Sequence, residues 1–284
     1  MTEAESRRDS APAAEISAMF ATMFDGLADT YDQSGVPFFA TIADGLVQRL
    51  QPAEGERVLD VGAGRGAATF PLAHAVGPSG HVDAIDIAPA MVALTQEAVS
   101  DAGLTHVRVA VGDASDPDLT PASYDVVASS LVLLFLPDPG AALEQWYGLL
   151  APDGRLGFST FQPWPPTWQS IESVFDDYAE DTGRPGSTEM PVVFREDASV
   201  EEITREAGFT DVRTEHATYA IPFDDVEQWR VWSLGTAMRG LWMRTPEDAH
   251  PEILGRVEQI LDGIRGDDGC SRLDVSIRYT LARA

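Results

Sequence analysis

The run VLDVGAGRG, Val58 to Gly66, constrains what this chain can fold into more than any other stretch. Apolar residues around Asp60 read as a buried strand. Glycines at 62, 64 and 66 then let the backbone turn sharply, with no Cβ to obstruct a ligand. A helical run, AATFPLAHAV, follows at once, so the loop would deliver a ligand to a strand end and a helix N-terminus. The next strand, HVDAID, ends in Asp86, about 20 residues after the last glycine, where a carboxylate can hold a ribose diol. One strand further on, HVRVAVGD ends in Asp113, a second acid on the same sheet edge. The plainer alternative is a βαβ unit whose glycines only make a turn, and these strand ends, in order, count against it.

Gly62-x-Gly64-x-x-Ala67 also satisfies the G-x-G-x-x-G/A pattern of nicotinamide and flavin dinucleotide sites. Asp60 separates the two readings. A fixed carboxylate two residues before the first glycine repels a diphosphate but can accept an ammonium group. In this series of strand ends the chain resembles the class I methyltransferases, which use S-adenosylmethionine. The resemblance implies a cofactor held by Asp60, Gly62, Ala63, Gly64 and Gly66, by Asp86, Ile87 and Met91, and by Gly112, Asp113 and Ala114. It adds Ser129 to the cofactor set, sets the polar pair Ser129-Ser130 at the substrate-facing end of strand four, and places the adenine amino group near the end of strand three. Further upstream, FDGLADTYD is similar to the F-x-x-x-A-x-x-Y-D element of quinone-biosynthesis methyltransferases and their small-molecule relatives. There the tyrosine sits over the cofactor as part of a lid, which makes Tyr31 a candidate; packing is the plainer role for such a residue.

Composition removes competing chemistries. The chain has 284 residues, 44% of them apolar, enough for one large domain or one domain with insertions. It contains no lysine, so a P-loop nucleotidase, a pyridoxal-phosphate enzyme, a Schiff-base aldolase and a Tyr-Lys dehydrogenase are all excluded. Acids outnumber bases 46 to 19, a net charge of −27, which argues against a nucleic-acid substrate, since phosphate binding draws on basic side chains. No basic run or basic aromatic stripe appears. The D/N-P-P-Y motif of amino-methylating nucleic-acid enzymes and the Pro-Cys nucleophile of cytosine C5 enzymes are both missing. The single cysteine, Cys270, leaves no internal disulfide, and no Cys/His cluster has metal spacing. No apolar run reaches the ~18 residues of a membrane span, and the polar, acidic N-terminus has no signal-peptide core. A cytoplasmic protein without membrane or metal fits these facts, and a homodimer is compatible with them.

Strands alternate with helices from 57 to 160, the pattern of a parallel sheet covered on both faces. Strands are expected at 57–61, 81–86, 106–111, 124–129, 155–160, 211–221 and 272–282, with helices near 66–76, 89–102 and 139–150. Ser199 followed by an acid three residues on reads as a capping box. The expected organisation is a disordered tail (1–15), an N-terminal helical lid (16–50), the cofactor-binding core (51–160) and an insertion (161–198). A core helix and strand six (199–222), a helical insertion (223–268) and a final strand (269–284) follow. The fold class is therefore α/β, a Rossmann-like three-layer αβα sandwich. Its seven-stranded sheet is mostly parallel, and the family resemblance makes the last strand antiparallel, between strands five and six.

Methyl transfer from a sulfonium is an in-line displacement, so the protein mainly aligns a nucleophile and excludes water. Phe24, Tyr31, Phe38, Phe39, Trp164, Trp168, Trp229, Trp232 and Trp242 are candidates for an aromatic lid, although Trp229 and Trp232 have helical spacing and could simply pack a core. Of the histidines, His216, inside a strand, and His250, opening a helix, are the candidates for a general base. An acceptor that is a carboxylate or acidic enol would need none. The sequence points to methylation of a small, fairly apolar metabolite, aromatic or polyketide-type, in natural-product tailoring, with O-methylation favoured. Quinone C-methylation, a dinucleotide oxidoreductase and a non-enzymatic adenosylmethionine-binding regulator are the alternatives.

Overall fold

The computed structural model describes residues 13–179 and 190–284. The chain runs α1 (Ala13–Asp25), α2 (Phe38–Leu50), β1 (Arg57–Val61), α3 (Thr69–Val76), β2 (His81–Asp86), α4 (Pro89–Asp101) and β3 (Val107–Val111). It continues through β4 (Tyr124–Ser130), α5 (Pro139–Leu149), β5 (Leu150–Phe161), α6 (Pro166–Asp176), α7 (Asp197–Glu206) and β6 (Thr210–Phe223). The last elements are α8 (Val226–Leu234), α9 (Arg239–Trp242), α10 (His250–Asp262) and β7 (Ser271–Arg283).

The strands form one seven-stranded sheet in the order β3-β2-β1-β4-β5-β7-β6. β1 pairs in parallel with both β2 and β4, because the chain winds outward from β1 in one direction and then returns to start in the other. The reversal opens a crevice beyond the carboxyl ends of β1 and β4, the switch point where open α/β sheets bind ligands. β7 is antiparallel to β5 and β6, as the expected topology requires.

Side chains alternate across each strand, so each face collects its own core. Val58, Val126 and Ala128 pack with α2, α3, α6 and the α8–α10 segment on one face. Leu59, Val61 and Val127 pack with α5 and α7 on the other. The tryptophans at 168, 229, 232 and 242 are all buried within the first cluster. They build the insertion into the body of the molecule; packing, the bland reading of their helical spacing, describes them.

Some local expectations fail. Residues 112–123 join β3 to β4 without a helix. Helix α7 begins at Asp197 after Glu196 and has no side-chain cap, so Ser199 lies inside its first turn. The tail expected over 1–15 lies outside the described residues as far as residue 12, and α1 opens at Ala13. Residues 180–189 of the 161–198 insertion also lie outside them.

Helix α2 sits on the sheet through a pair of phenols. The Tyr219 and Tyr279 hydroxyls lie 2.8 Å apart, and Tyr279 donates to the Ile42 carbonyl at 3.0 Å. A Cβ at Gly45 would run into both phenol oxygens. Gly45→Ala gains about 1 kcal/mol of helix propensity, whereas overpacking a well-filled interior costs about 1–3 kcal/mol and here also displaces two hydrogen-bonded groups. The loss should win, lowering Tm in thermal unfolding by several degrees. An unchanged or raised Tm would show that α2 does not rest on these tyrosines.

Candidate active site

The loop after β1 is built by backbone groups reaching to β2. Gly62 and Ala63 both donate to the Ile85 carbonyl, at 2.8 and 2.9 Å. Gly64 donates to one carboxylate oxygen of Asp86 at 2.8 Å, and Ala88 donates to the other at 2.9 Å. Thr95 of α4 closes the loop from behind, its hydroxyl donating to the Gly64 carbonyl at 2.7 Å. Two glycines are required here for distinct reasons. Gly62 has φ +72°, and a Cβ there would strike Val132. At Gly64 the reason is the left-handed backbone, φ +52°, since a Cβ there would make only an ordinary contact with Tyr31 at 3.7 Å.

The loop borders a cleft of about 90 Å³, smaller than the ~300–1,000 Å³ usual for small-molecule sites. Its floor is Gly62 and Gly64, and one side is Asp86, Ile87 and Met91. Gly112, Asp113 and Ala114 continue that side from β3. The opposite side, from the end of β4, is Ser130, Leu131, Val132, Phe135 and Leu136. Helix α1 closes the top with Ser17, Phe20 and Phe24. Phe20 and Phe24 each meet Phe135 edge-on with centroids 5.3 Å apart, so the cover is held by aromatic contacts across the cleft. Tyr31 completes it, stacked on Phe39 at 4.6 Å.

The acids are held differently. Burial raises the Asp86 carboxyl above its ordinary range, partly offset by the N–H groups that bond it. Asp113 faces the cleft while one of its oxygens accepts from Ser115 N–H at 2.7 Å. Each carboxylate keeps lone pairs for a ligand. Burial, with the nearby Asp32 and Asp86 charges, raises the Tyr31 phenol far out of the neutral range, so it stays protonated. Asp32, next to it, is pushed up to about 6 by burial, with Arg65 opposing the shift.

Nine of the residues expected at a cofactor line this cleft: Tyr31, Gly62, Gly64, Asp86, Ile87, Met91, Gly112, Asp113 and Ala114. Four do not. Ala63 and Gly66 shape the loop from inside, and Ser129 points away from the cleft to donate to the Val61 carbonyl at 3.2 Å. One residue along a strand reverses the side-chain direction, so Ser130 takes the cleft position. Asp60 is buried behind the loop, where its carboxylate accepts from the Thr69 hydroxyl at 2.6 Å.

The two candidate bases are corrected more fully. His216 lies half-exposed on the edge strand β6, its Nε2 2.9 Å from the Asp197 carboxylate. His250 packs edge-on against Trp242 at 5.0 Å. Neither lines the cleft. Ser17, Phe20, Leu131 and Phe135 were missed, because helix packing and the turn after β4 bring them in from outside any motif. Among the described residues no group of acids, histidines or cysteines could hold a metal ion.

The arrangement fits an adenosine-bearing ligand. Carboxylates at the ends of β2 and β3 match hydroxyl and amino donors, and the cradle at Gly64 leaves room for the chain joined to the ribose. Comparison with known proteins agrees. The methyltransferase domain family matches residues 58–154. The nocamycin O-methyltransferase of Saccharothrix syringae is 34% identical over 243 residues, covering 81% of this chain and 86% of that protein. The aklanonic acid methyltransferase of Streptomyces sp. (strain C5) is 41% identical over 137 residues, 48% of this chain and 62% of that relative. In fold, the chain is similar to a Haemonchus contortus phosphoethanolamine N-methyltransferase solved with S-adenosylhomocysteine. There the TM-score is 0.53 at 18% identity, covering 85% of this chain and about half, 52%, of that one.

Burial pushes the Asp60 carboxyl from an ordinary 3.8 up to about 7, against the Thr69 hydrogen bond and with a further push from Asp86. The folded state then binds a proton that the unfolded chain has already lost over that interval. Stability from this group is present below the unfolded value and declines as pH rises towards the folded one. Asp60→Asn, which keeps an acceptor for Thr69, should flatten the fall in unfolding free energy between pH 4.5 and 7.5. Denaturant titrations at both pH values check this, and identical slopes for the two proteins would refute the buried-acid account.

Proposed function

The chain belongs to the class I S-adenosylmethionine-dependent methyltransferases, and on that premise we propose that it O-methylates a small, largely apolar metabolite of the polyketide type through an acidic oxygen. When bound, S-adenosylmethionine supplies an electrophilic methyl on a positively charged sulfur. The observation that carries the proposal is the make-up of the cleft. Its polar groups gather at the β2 and β3 ends, while the β4 side and the α1 cover are aromatic and aliphatic apart from Ser17 and Ser130. No histidine, arginine or cysteine is among its lining residues.

A neutral phenol loses its proton slowly without a positioned base, a contribution of roughly 10²–10⁴ in rate. Asp86 and Asp113 belong to the cofactor side of the cleft, opposite the apolar β4 side, and the Tyr31 phenol is held protonated. An acceptor that arrives ionised, a carboxylate or an acidic enol, avoids the need. The apolar side then serves two ends: it excludes water from the nucleophilic oxygen, and it leaves that oxygen facing the sulfonium with little competing solvation. Helix α1 and Tyr31 act as the cover that makes this exclusion possible. The names of the two relatives, an O-methyltransferase and an enzyme acting on an acid, support the same class of acceptor.

Calorimetry should show S-adenosylmethionine and S-adenosylhomocysteine binding, and nicotinamide dinucleotides failing to bind. Asp86→Ala should weaken S-adenosylhomocysteine about 10- to 150-fold, the value of losing charge-assisted hydrogen bonds. Unchanged affinity would mean that the ribose is held elsewhere. With label in the donor methyl and a set of aromatic and polyketide acids as acceptors, the product should release labelled methanol, in mild base if it is a methyl ester and in dilute acid if it is an enol ether. Label locked on carbon would place the chain with the quinone-type enzymes. His216→Gln and His250→Gln should lower kcat by less than about 100-fold. A loss of about 1,000-fold in either would establish the base that the cleft lining lacks.

A further inference from the structure

At the end of β4 the chain holds a serine pair, one member of which, Ser130, stands in the cleft position expected for Ser129. Ser130 of β4 and Ser159 of β5 are register partners in parallel strands, so their side chains lie on the same face of the sheet. Their hydroxyl oxygens are 3.2 Å apart. Ser159 is fully buried, whereas Ser130 opens onto the cleft. Leu131, next in the chain, turns out of the strand with φ +61°, a conformation that a branched side chain seldom adopts. Its N–H is shared between the Ser159 hydroxyl and the Ser159 carbonyl, each at 3.1 Å. The turn is thus pinned to Ser159.

Counting protons gives the pair a direction. The Ser159 oxygen already accepts from Leu131 N–H, so its own hydrogen must find an acceptor inside the protein, and the Ser130 oxygen is the neighbour within reach. The reverse arrangement would bury the Ser159 hydrogen with no acceptor, which costs more than any hydrogen bond it gains. With Ser159 donating to Ser130, the Ser130 hydrogen is left to point into the cleft. The cleft lining contributed by the same β4 turn is Leu131, Val132, Phe135 and Leu136, all apolar, and α1 adds Phe20 and Phe24 beside Ser17. A single oriented donor in an apolar wall is how such sites fix one oxygen of an otherwise apolar ligand.

We propose that Ser130, oriented by Ser159, is the acceptor-binding residue of the methyl transfer, donating its hydroxyl hydrogen to the ionised oxygen group of an aromatic or polyketide acid. This rests on the reading of the cleft as a methyltransferase site with an acidic acceptor. A carboxylate presents two oxygens, so one can take the Ser130 hydrogen bond while the other is free to face the methyl group. The donor lowers the charge on the bound group only partly, and its main effect is to hold the reacting oxygen in line. The Ser129 hydroxyl, one residue earlier, cannot substitute, because it is committed to the Val61 carbonyl on the far side of the strand.

The test is calorimetry with 2-naphthoate as the probe acid, titrated into protein saturated with S-adenosylhomocysteine. The wild type should bind it. Ser130→Ala should weaken naphthoate about 10- to 150-fold while leaving S-adenosylhomocysteine affinity within twofold, the pattern expected if the hydroxyl meets a charged oxygen of the acceptor and not the cofactor. Ser130→Thr, which retains the hydroxyl, should recover most of the loss; a merely structural role would not be rescued in this way. Equal naphthoate binding by wild type and Ser130→Ala, no naphthoate binding by the wild type, or a loss confined to S-adenosylhomocysteine would each overturn the assignment. Failure of the wild type to bind S-adenosylhomocysteine would instead overturn the methyltransferase reading beneath it.

Discussion

The bond from Gly64 N–H to the Asp86 carboxylate holds the functional end of this molecule together. It joins the loop leaving β1 to the residue that ends β2, across the seam where neighbouring parallel strands stop. With it, Gly62 and Ala63 share the Ile85 carbonyl, and the loop becomes a rigid shelf instead of a free connection. Asp86 is an uncommon choice for such a duty, because burial raises its proton affinity. The two backbone donors offset part of that cost, and Asp86 still lines the cleft.

The acceptor half depends on that shelf indirectly. Gly62 leaves no room for a Cβ because Val132 lies against it, and Val132 belongs to the turn that Leu131 begins. The Ser159 contacts fix the same turn from the β5 side. Phe135 then reaches the α1 aromatics, so the cover, the β4 turn and the glycine loop form one connected packing unit. Cover and floor can exclude water together, as the proposed methyl transfer to an ionised oxygen requires.

Strands β1 and β2 were legible to the residue, because buried parallel strands are nearly continuous apolar runs bounded by turn residues. The antiparallel β6 and β7 extend further than expected at both ends, since each supplies hydrogen bonds to the other beyond its apolar stretch. Motif spacing was enough to pick out the strand-end residues that line one cleft. What spacing did not disclose was side-chain direction: Ser129 was expected where Ser130 stands, and Asp60 was expected at the ligand where it turns instead to Thr69. The histidines, and the lid role considered for the tryptophans, fail for a related reason. His216 finds its partner in Asp197, far away in sequence, and the tryptophans find theirs in one another. Such partnerships are tertiary and leave no local pattern.

The central claim is that one cleft, floored by the glycine loop and covered by α1, receives the adenosyl cofactor. Amide hydrogen exchange read by mass spectrometry, with and without saturating S-adenosylhomocysteine, tests it without any need for the natural acceptor. The account predicts added protection over 62–66, 86–91 and 112–114, together with slower exchange in α1 as the cover is held shut, and little change in β6, β7 or α10. Protection confined to the helical insertion around α8–α10, or none in the glycine loop and α1, would contradict it.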